Sequence, residues 1–335
     1  MSAPAKARVA PKHPVQAGVT LVELMIALTL SLVAVGAALS IYLANRKSFA
    51  LVESVARTQE GARFAVDLLS RDIREAGGTA CGGGLRAVNT VPNTNPNPNT
   101  WALWERGLVG DVLGSAAGQI TGPSGGTAQI TSPPTDALLL WSASSGNNPV
   151  QITAHTHNAD GSGTFSTASD PGYKDRDVLT ACDGAQLFTF EAHGDSTASG
   201  VSYTSATALT QNITAGGYLN PLSTKVWYVG NSTNGASPSL RRLSIAKNGS
   251  VVPNGNAEIV PNVTDMQIQY LLGDGAGTPA AATYVDAAAV ADWSKVLAVR
   301  VTLTFATPDT VGSTGGANAV VSHTVPFVVS LRTRL

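Results

Sequence analysis

The stretch VTLVELMIALTLSLVAVGAALSIYLA, residues 19–44, decides the fold. Its one charge is Glu23, and residues 24–44 carry none over 21 positions. As a helix those residues span about 30 Å, the thickness of a bilayer's hydrocarbon core. A cleaved secretory signal would have a shorter apolar core followed by a small-residue cleavage site. A buried core helix rarely reaches this length without a charge. A membrane helix is the reading that fits. Glu23 then stands out, because a carboxylate at the edge of the hydrocarbon is costly and calls for a partner.

Upstream, residues 1–18 hold Lys6, Arg8 and Lys12, no acid and three prolines. The prolines exclude a stable helix, and the basic residues favour a cytoplasmic N-terminus. Arg46 and Lys47 follow the apolar run and reduce that asymmetry.

Downstream, the helical pattern continues. Val52, Val55, Gln59, Ala62, Val66, Leu69, Ile73 and Ala76 follow one another by steps of three and four, a narrow apolar seam. Glu53 with Arg57, and Asp67 with Arg71, are spaced as i,i+4 pairs with the acid first. No proline occurs between Pro14 and Pro92, and Gly77-Gly78 supplies a C-terminal stop. One helix over about residues 20–76 is predicted, roughly 85 Å long. Its second half offers one face to a sheet.

The rest of the chain differs in kind. Residues 1–77 carry 9 Lys/Arg and 6 Asp/Glu, whereas the other 258 carry 12 and 16. The whole chain has 335 residues, 13% charged and 43% hydrophobic, with 34 Gly and 18 Pro. That mix suits a loop-rich β protein better than a disordered chain, which would be more highly charged. The formal net charge of −1 gives no general drive toward nucleic acid or anionic lipid. Residues 88–100, rich in Asn, Pro and Thr, read as an exposed loop.

Strands are weakly indicated at 128–130, 137–142 and 185–190, and clearly at 226–229, 240–245, 266–272, 296–305 and 324–331. Met266, Ile268, Tyr270 and Leu272 alternate with Gln267 and Gln269, as a half-buried strand requires. Short gaps between these runs imply a largely antiparallel sheet. The fold class is therefore α+β: a long N-terminal helix, membrane-spanning in its first half, packed on a β-sheet head.

Gly18-Val19-Thr20-Leu21-Val22-Glu23-Leu24-Met25 resembles the class III signal of type IV pilins and type II secretion pseudopilins. Val19 stands where Phe or Met is commoner in that superfamily. The resemblance implies that a prepilin peptidase cuts after Gly18 and methylates the new amine of Val19. It also gives Glu23 an assembly role, its carboxylate meeting a neighbouring subunit's N-terminal ammonium when helices pack side by side. Pairing two charges in low dielectric is far better than leaving either alone. Five further blocks are similar to the minor pilins called PilW. They are Gln59-Glu60-Gly61-Ala62-Arg63-Phe64-Ala65 and Arg71-Asp72-Ile73-Arg74-Glu75-Ala76-Gly77 near the membrane, and Asp265-Met-Gln-Ile-Gln-Tyr270, Trp293-Ser-Lys-Val-Leu-Ala-Val-Arg-Val301 and the closing Val329-Ser-Leu-Arg-Thr-Arg-Leu335. The resemblance does not extend to residues 85–220.

The resemblance implies three segments: a leader over 1–18, the long helix over 19–76 with 19–44 as membrane span and filament core, and a periplasmic β-rich head over 77–335. It implies a minor pilin held in the inner membrane and then incorporated, with other minor and major pilins, into a low-copy priming complex near the filament tip. A tip-located adhesin-like protein is an expected partner and nucleic acid is not. A type II secretion pseudopilin is the nearest alternative, and a signal-anchored periplasmic enzyme or binding module a more distant one.

Cys81 and Cys182 are the only cysteines. In a periplasmic head they are expected to form a disulfide closing a loop of about 100 residues; two free thiols are the alternative. No catalytic, metal or cofactor residues are assigned. His155 and His157 could share a strand face but lack a third ligand, and read as solvated loop residues. His157-Asn-Ala-Asp-Gly-Ser162 and Gly273-Asp-Gly-Ala-Gly277 lack the acids of a complete calcium loop. Gly194-Asp195-Ser196 lacks an accompanying triad and reads as a surface turn. Arg241-Arg242, Arg332 and Arg334 read as solvated charges.

Overall fold

The computed structural model describes residues 18–82, 86–89, 107–112, 135–143, 149–204, 212–232, 237–245, 251–274, 278–306 and 322–332. One helix, α1, spans Leu21–Glu75 without a break. The chain divides into two compact units, 1–53 and 54–335, with the boundary inside α1. In the first unit, every described residue up to 50 is exposed. Among the described residues α1 is the one helix long and apolar enough to cross a membrane, with a mean hydropathy of 2.4 over its most apolar window.

α1 stops where the two glycines begin. Gly77 takes a φ of 71°, the left-handed conformation that ends helices and suits a residue without Cβ. The Gly77 N–H donates to the Trp141 carbonyl at 2.7 Å, and the Ala143 N–H donates to the Gly78 carbonyl at 2.8 Å. The chain leaving the helix is thereby stitched to a strand.

Sixteen strands follow among the described residues, numbered along the chain. Seven form one sheet: β1 (Arg86–Asn89), β4 (Val150–His157), β5 (Ser162–Thr167), β6 (Val178–Cys182), β7 (Gln186–Glu191), β8 (Val201–Thr204) and β9 (Tyr218–Pro221), ordered β1-β7-β6-β9-β4-β5-β8. Five form a second: β2 (Leu108–Val112), β3 (Asp136–Ser142), β10 (Ser223–Asn231), β11 (Pro238–Ile245) and β12 (Val251–Pro261), ordered β12-β11-β10-β3-β2. The third holds β13 (Val263–Gly273), β14 (Pro279–Asp286), β15 (Val296–Ala306) and β16 (Ser322–Ser330), ordered β14-β13-β15-β16. The described strand pairs are antiparallel except β1 with β7. The fold is the expected α+β arrangement. Of the expected strands, 128–130 lies outside the described residues and the others correspond to β3, β7, β10, β11, β13, β15 and β16; β7 starts one residue later than expected and β16 ends one residue early.

The second unit has two cores. Ala62, Leu69 and Ile73 of α1 share the larger with Trp141 and Trp227 of the five-stranded sheet and Tyr270 and Phe305 of the four-stranded one. These two sheets meet closely. Asp136 Oδ2 accepts the Ile268 N–H at 2.7 Å, and a Cβ on Gly110 would overlap the Tyr270 hydroxyl. The smaller core lies on the seven-stranded sheet and is aromatic, with Phe165, Phe188, Phe190 and Tyr203 in mutual ring contact at 4.9–6.0 Å.

The buried helix face is rotated from the expected seam. Ala62, Leu69, Ile73 and Ala76 are buried as expected, but Val52 and Gln59 are exposed and Ser54, Ala65 and Asp72 are buried instead. A repeat of about 3.5 residues drifts about 20° per heptad on a straight helix, so a seam aligned at Ile73 turns outward toward Val52. Arg71 likewise pairs with Glu75, at 3.2 Å, rather than with Asp67.

Candidate functional site

The start of α1 is built by Thr20. Its Oγ1 accepts the Glu23 N–H at 3.2 Å and its carbonyl accepts the Leu24 N–H at 3.1 Å, so Thr20 is the N-cap and Glu23 the third helical residue. Thr-x-x-Glu is the sequence form of a capping box, a signal not read above. A carboxylate in the first turn also faces the positive end of the helix dipole. Along the apolar run the hydroxyls bond backward to their own helix. Thr29 donates to the Ile26 carbonyl at 2.9 Å, Ser31 to Leu28 at 2.9 Å and Ser40 to Ala37 at 2.7 Å. No hydroxyl among these three needs water, which fits the segment for lipid or for packing against other helices. Glu23 is left as the single charge of an exposed apolar rod. Val19 is exposed and lies one residue ahead of the cap.

The other end of α1 is fixed by a charge the sequence reading missed. Asp72 is buried among the seam residues, where its Oδ1 accepts from Lys225 Nζ at 2.6 Å and its Oδ2 from Trp227 Nε1 at 3.0 Å. Arg242 approaches Oδ2 at 3.6 Å and lies over the Trp227 ring at 5.7 Å from its centroid. Lys225 and Trp227 share a face of β10, and Arg242 is the cross-strand partner of Trp227 on β11. An acid inside an apolar seam, with two basic residues on facing strands, was the available signal. Arg241 points elsewhere and is also buried, donating to Asn256 Oδ1 at 3.1 Å and pairing with Glu258 at 3.5 Å. The expectation that Arg241 and Arg242 are solvated is therefore corrected: Arg241 is buried and Arg242 half-buried over Trp227, because alternation along β11 turns them to opposite faces.

Cys81 and Cys182 form a disulfide with Cα atoms 6.0 Å apart. It joins the chain just beyond α1 to β6, and so couples the helix end to the seven-stranded sheet.

A groove of about 610 Å³ runs between α1 and β16, lined by Ala62, Val66 and Arg74 on one side and His323, Val325 and Phe327 on the other. β16 is an edge strand carrying Pro326, which has no N–H to offer an added strand. The groove edge is thus blunted against strand addition.

The remaining candidates have structural duties. His155 and His157 lie on β4 rather than in a loop, and His155 is buried, its ring stacked on Phe165 at 4.1 Å. Asp160 caps its own turn by accepting the Ser162 N–H at 2.9 Å. The Ser162 hydroxyl, and after it that backbone bond, hold its carboxyl below the usual range. Gly194-Asp195-Ser196 is an exposed turn: Asp195 pairs with Lys174 at 2.8 Å and the Ser196 hydroxyl donates to Asp170. Among the described residues no three His, Cys, Asp or Glu side chains gather as a metal would require.

Two family models match parts of the chain. Residues 14–39 match the prokaryotic N-terminal methylation motif, which takes in Gly18, Val19 and Glu23. Residues 226–328 match PilW, described as type IV pilus-assembly protein W, a span from β10 to β16 that holds Trp227, Arg242 and the four-stranded sheet. No curated protein and no solved structure matches the chain.

Proposed function

The chain belongs to the PilW type IV pilus-assembly family and carries a prokaryotic N-terminal methylation motif, and from that membership we propose that it is a minor pilin without catalytic activity. A prepilin peptidase removes residues 1–18 and methylates the Val19 amine. Residues 19–44 then hold the protein in the inner membrane with residues 77–335 in the periplasm. On assembly the same helix packs among other minor and major pilins in a low-copy complex that primes the filament and stays near its tip. An adhesin-like protein at the tip is the expected neighbour there. The PilW match favours a pilus over a type II secretion system.

The observation that carries this reading is α1 itself. Its first half is exposed and apolar with internally satisfied hydroxyls, and its last turns are buried under the head. A rod of this kind has no use for its apolar surface except in lipid or against copies of similar rods. Glu23 supplies the register, because its carboxylate gains most where a neighbour's methylated ammonium lies at the same depth.

Glu23→Gln tests the pairing. The amide keeps the shape and the third helical position while removing the charge. The head should unfold at the wild-type temperature. The protein recovered in sheared filaments should fall at least tenfold, equivalent to about 1.4 kcal/mol of docking free energy. Wild-type recovery in filaments would count against the pairing role.

A further inference from the structure

His155 sits where its protonation state is dictated by a backbone donor. Its Nδ1 accepts the Ile213 N–H at 3.0 Å, and its Nε2 lies 2.9 Å from the Tyr203 hydroxyl. An N–H pointing at Nδ1 requires a lone pair there, so the ring is neutral and carries its proton on Nε2. Protonating Nδ1 would set one donor against another inside the aromatic core, with Phe165 stacked on the ring face at 4.1 Å. The ring has no free edge on which to accept the extra proton without losing Ile213.

Ile213 belongs to a short strap, residues 212–217, lying over β4. Ile213 is buried in the aromatic core, while Asn212 and residues 214–216 are exposed. Besides His155, the strap is held by Asn212 Oδ1 against His157 Nδ1 at 2.7 Å and by the Thr214 N–H on Asp183 at 2.9 Å. Gln186 Nε2 donates to the Asn212 carbonyl at 3.0 Å, and the Gly216 N–H donates to the Ile152 carbonyl at 2.8 Å. Of these, the His155 bond is the one an added proton abolishes first. His157 Nδ1 donates to an amide oxygen, a bond that needs no lone pair on the ring. The Asp183 carboxylate is partly buried, which raises its pKa, but backbone N–H donors from Thr214, Ala185 and Gln186 outweigh this and hold it below the ordinary value.

We propose that His155 is an acid-operated latch, and that protonation of its Nδ1 releases the Ile213 amide and lifts the 212–217 strap from the aromatic core. The surrounding groups leave the decision to His155. On its own strand His157 lies with ring centroids 6.1 Å apart, close enough for two charged rings to repel. Asp160, in the β4–β5 turn, is engaged by Ser162. β5 has no titratable residue, β8 offers Tyr203, and β9 offers Tyr218 beside Gln151. Glu191 of β7 is paired with Arg176 at 3.1 Å. Burial pushes Tyr203 up to about 12, so it stays neutral as the latch works. Burial first, and the charge of His157 second, lower His155 from 6.5 to about 4.

The direction follows. The closed strap disfavours the proton and the open strap accepts it at the ordinary histidine value. Closure is complete above about pH 6.5, weakens as pH falls, and has lost all it can lose below about pH 4.

Hydrogen exchange of the full-length protein in detergent tests this, read by mass spectrometry over 212–217 and corrected for intrinsic rates. Protection of the strap should fall by about tenfold per pH unit between pH 6 and pH 4.5, the slope of one linked proton. Peptides from 62–73 should keep theirs. His155→Gln, which can accept from Ile213 and donate to Tyr203 without titrating, should make strap protection independent of pH. Flat wild-type protection, an equal loss over 62–73, or an unchanged slope in the glutamine variant would overturn the latch. Should that variant fail to fold, the wild-type His155 nitrogen shifts decide: an unprotonated Nδ1 at pH 7 with a midpoint well below 6.5 supports it, and a protonated Nδ1 or an ordinary midpoint overturns it.

Discussion

Replacing both Cys81 and Cys182 by Ser is expected to cost about 4–5 kcal/mol of head stability, the largest effect of any change discussed. The bond closes a loop between residues 101 apart, and constraining a loop of that length removes about 4.7 kcal/mol of entropy from the unfolded chain. For a head of this size that corresponds to a fall of about 10–15 °C in Tm. The bond has a second consequence, since it ties the residues following α1 to β6 and hence to the seven-stranded sheet. Thermal unfolding followed by circular dichroism in detergent, with and without reductant, measures the effect. Reductant should lower the wild-type Tm and leave the double-serine protein unmoved. A wild-type Tm unaffected by complete reduction would contradict the assignment of stability to this link.

Asp72→Ala is expected to cost about 2–4 kcal/mol. Removing one partner of a buried ion pair typically costs 3–5 kcal/mol, because the other charge is stranded. The lower range applies because the Lys225 and Arg242 side chains remain 23% and 27% exposed and can reach water. The Trp227 N–H, which bonds to Asp72 at 3.0 Å, cannot. Asp72→Asn retains an oxygen for Trp227 and should lose about half as much. Chemical unfolding of the three proteins, with Lys225→Met added to close a double-mutant cycle, gives the coupling. A coupling near zero would make Asp72 a tolerated passenger rather than the clamp between helix and sheet.

The sequence made α1 legible because its signals are long and redundant: an uncharged run, no proline from 15 to 91, and a Gly-Gly stop. The strands β13 and β15 were legible for the same reason, since their apolar residues alternate over Met266, Ile268 and Tyr270 and over Val299, Val301, Leu303 and Phe305. The seven-stranded sheet was mostly illegible. In β5 the buried positions are Gly163, Phe165 and Thr167, and in β4 an irregularity between Ile152 and Ala154 breaks the phase between the two buried residues. A period-two search weighted by hydrophobicity passes over both. Asp72 and His155 are polar residues in buried places. Their partners lie 153 and 58 residues away, at Lys225 and Ile213, and no local pattern announces them. Gly18, Val19 and Glu23 present the opposite case: their spacing is local and covalent, so the motif was readable at once while geometry adds only the Thr20 cap.

The central claim is that the apolar rod beginning at Val19 survives maturation as the means of assembly. Intact-mass and N-terminal peptide analysis of the protein extracted from membranes and from sheared filaments tests it most directly. The account predicts a chain shortened by residues 1–18, beginning at an N-methylated Val19 and present in both fractions. A chain that retains residues 1–18, or one that begins beyond residue 44, would contradict it.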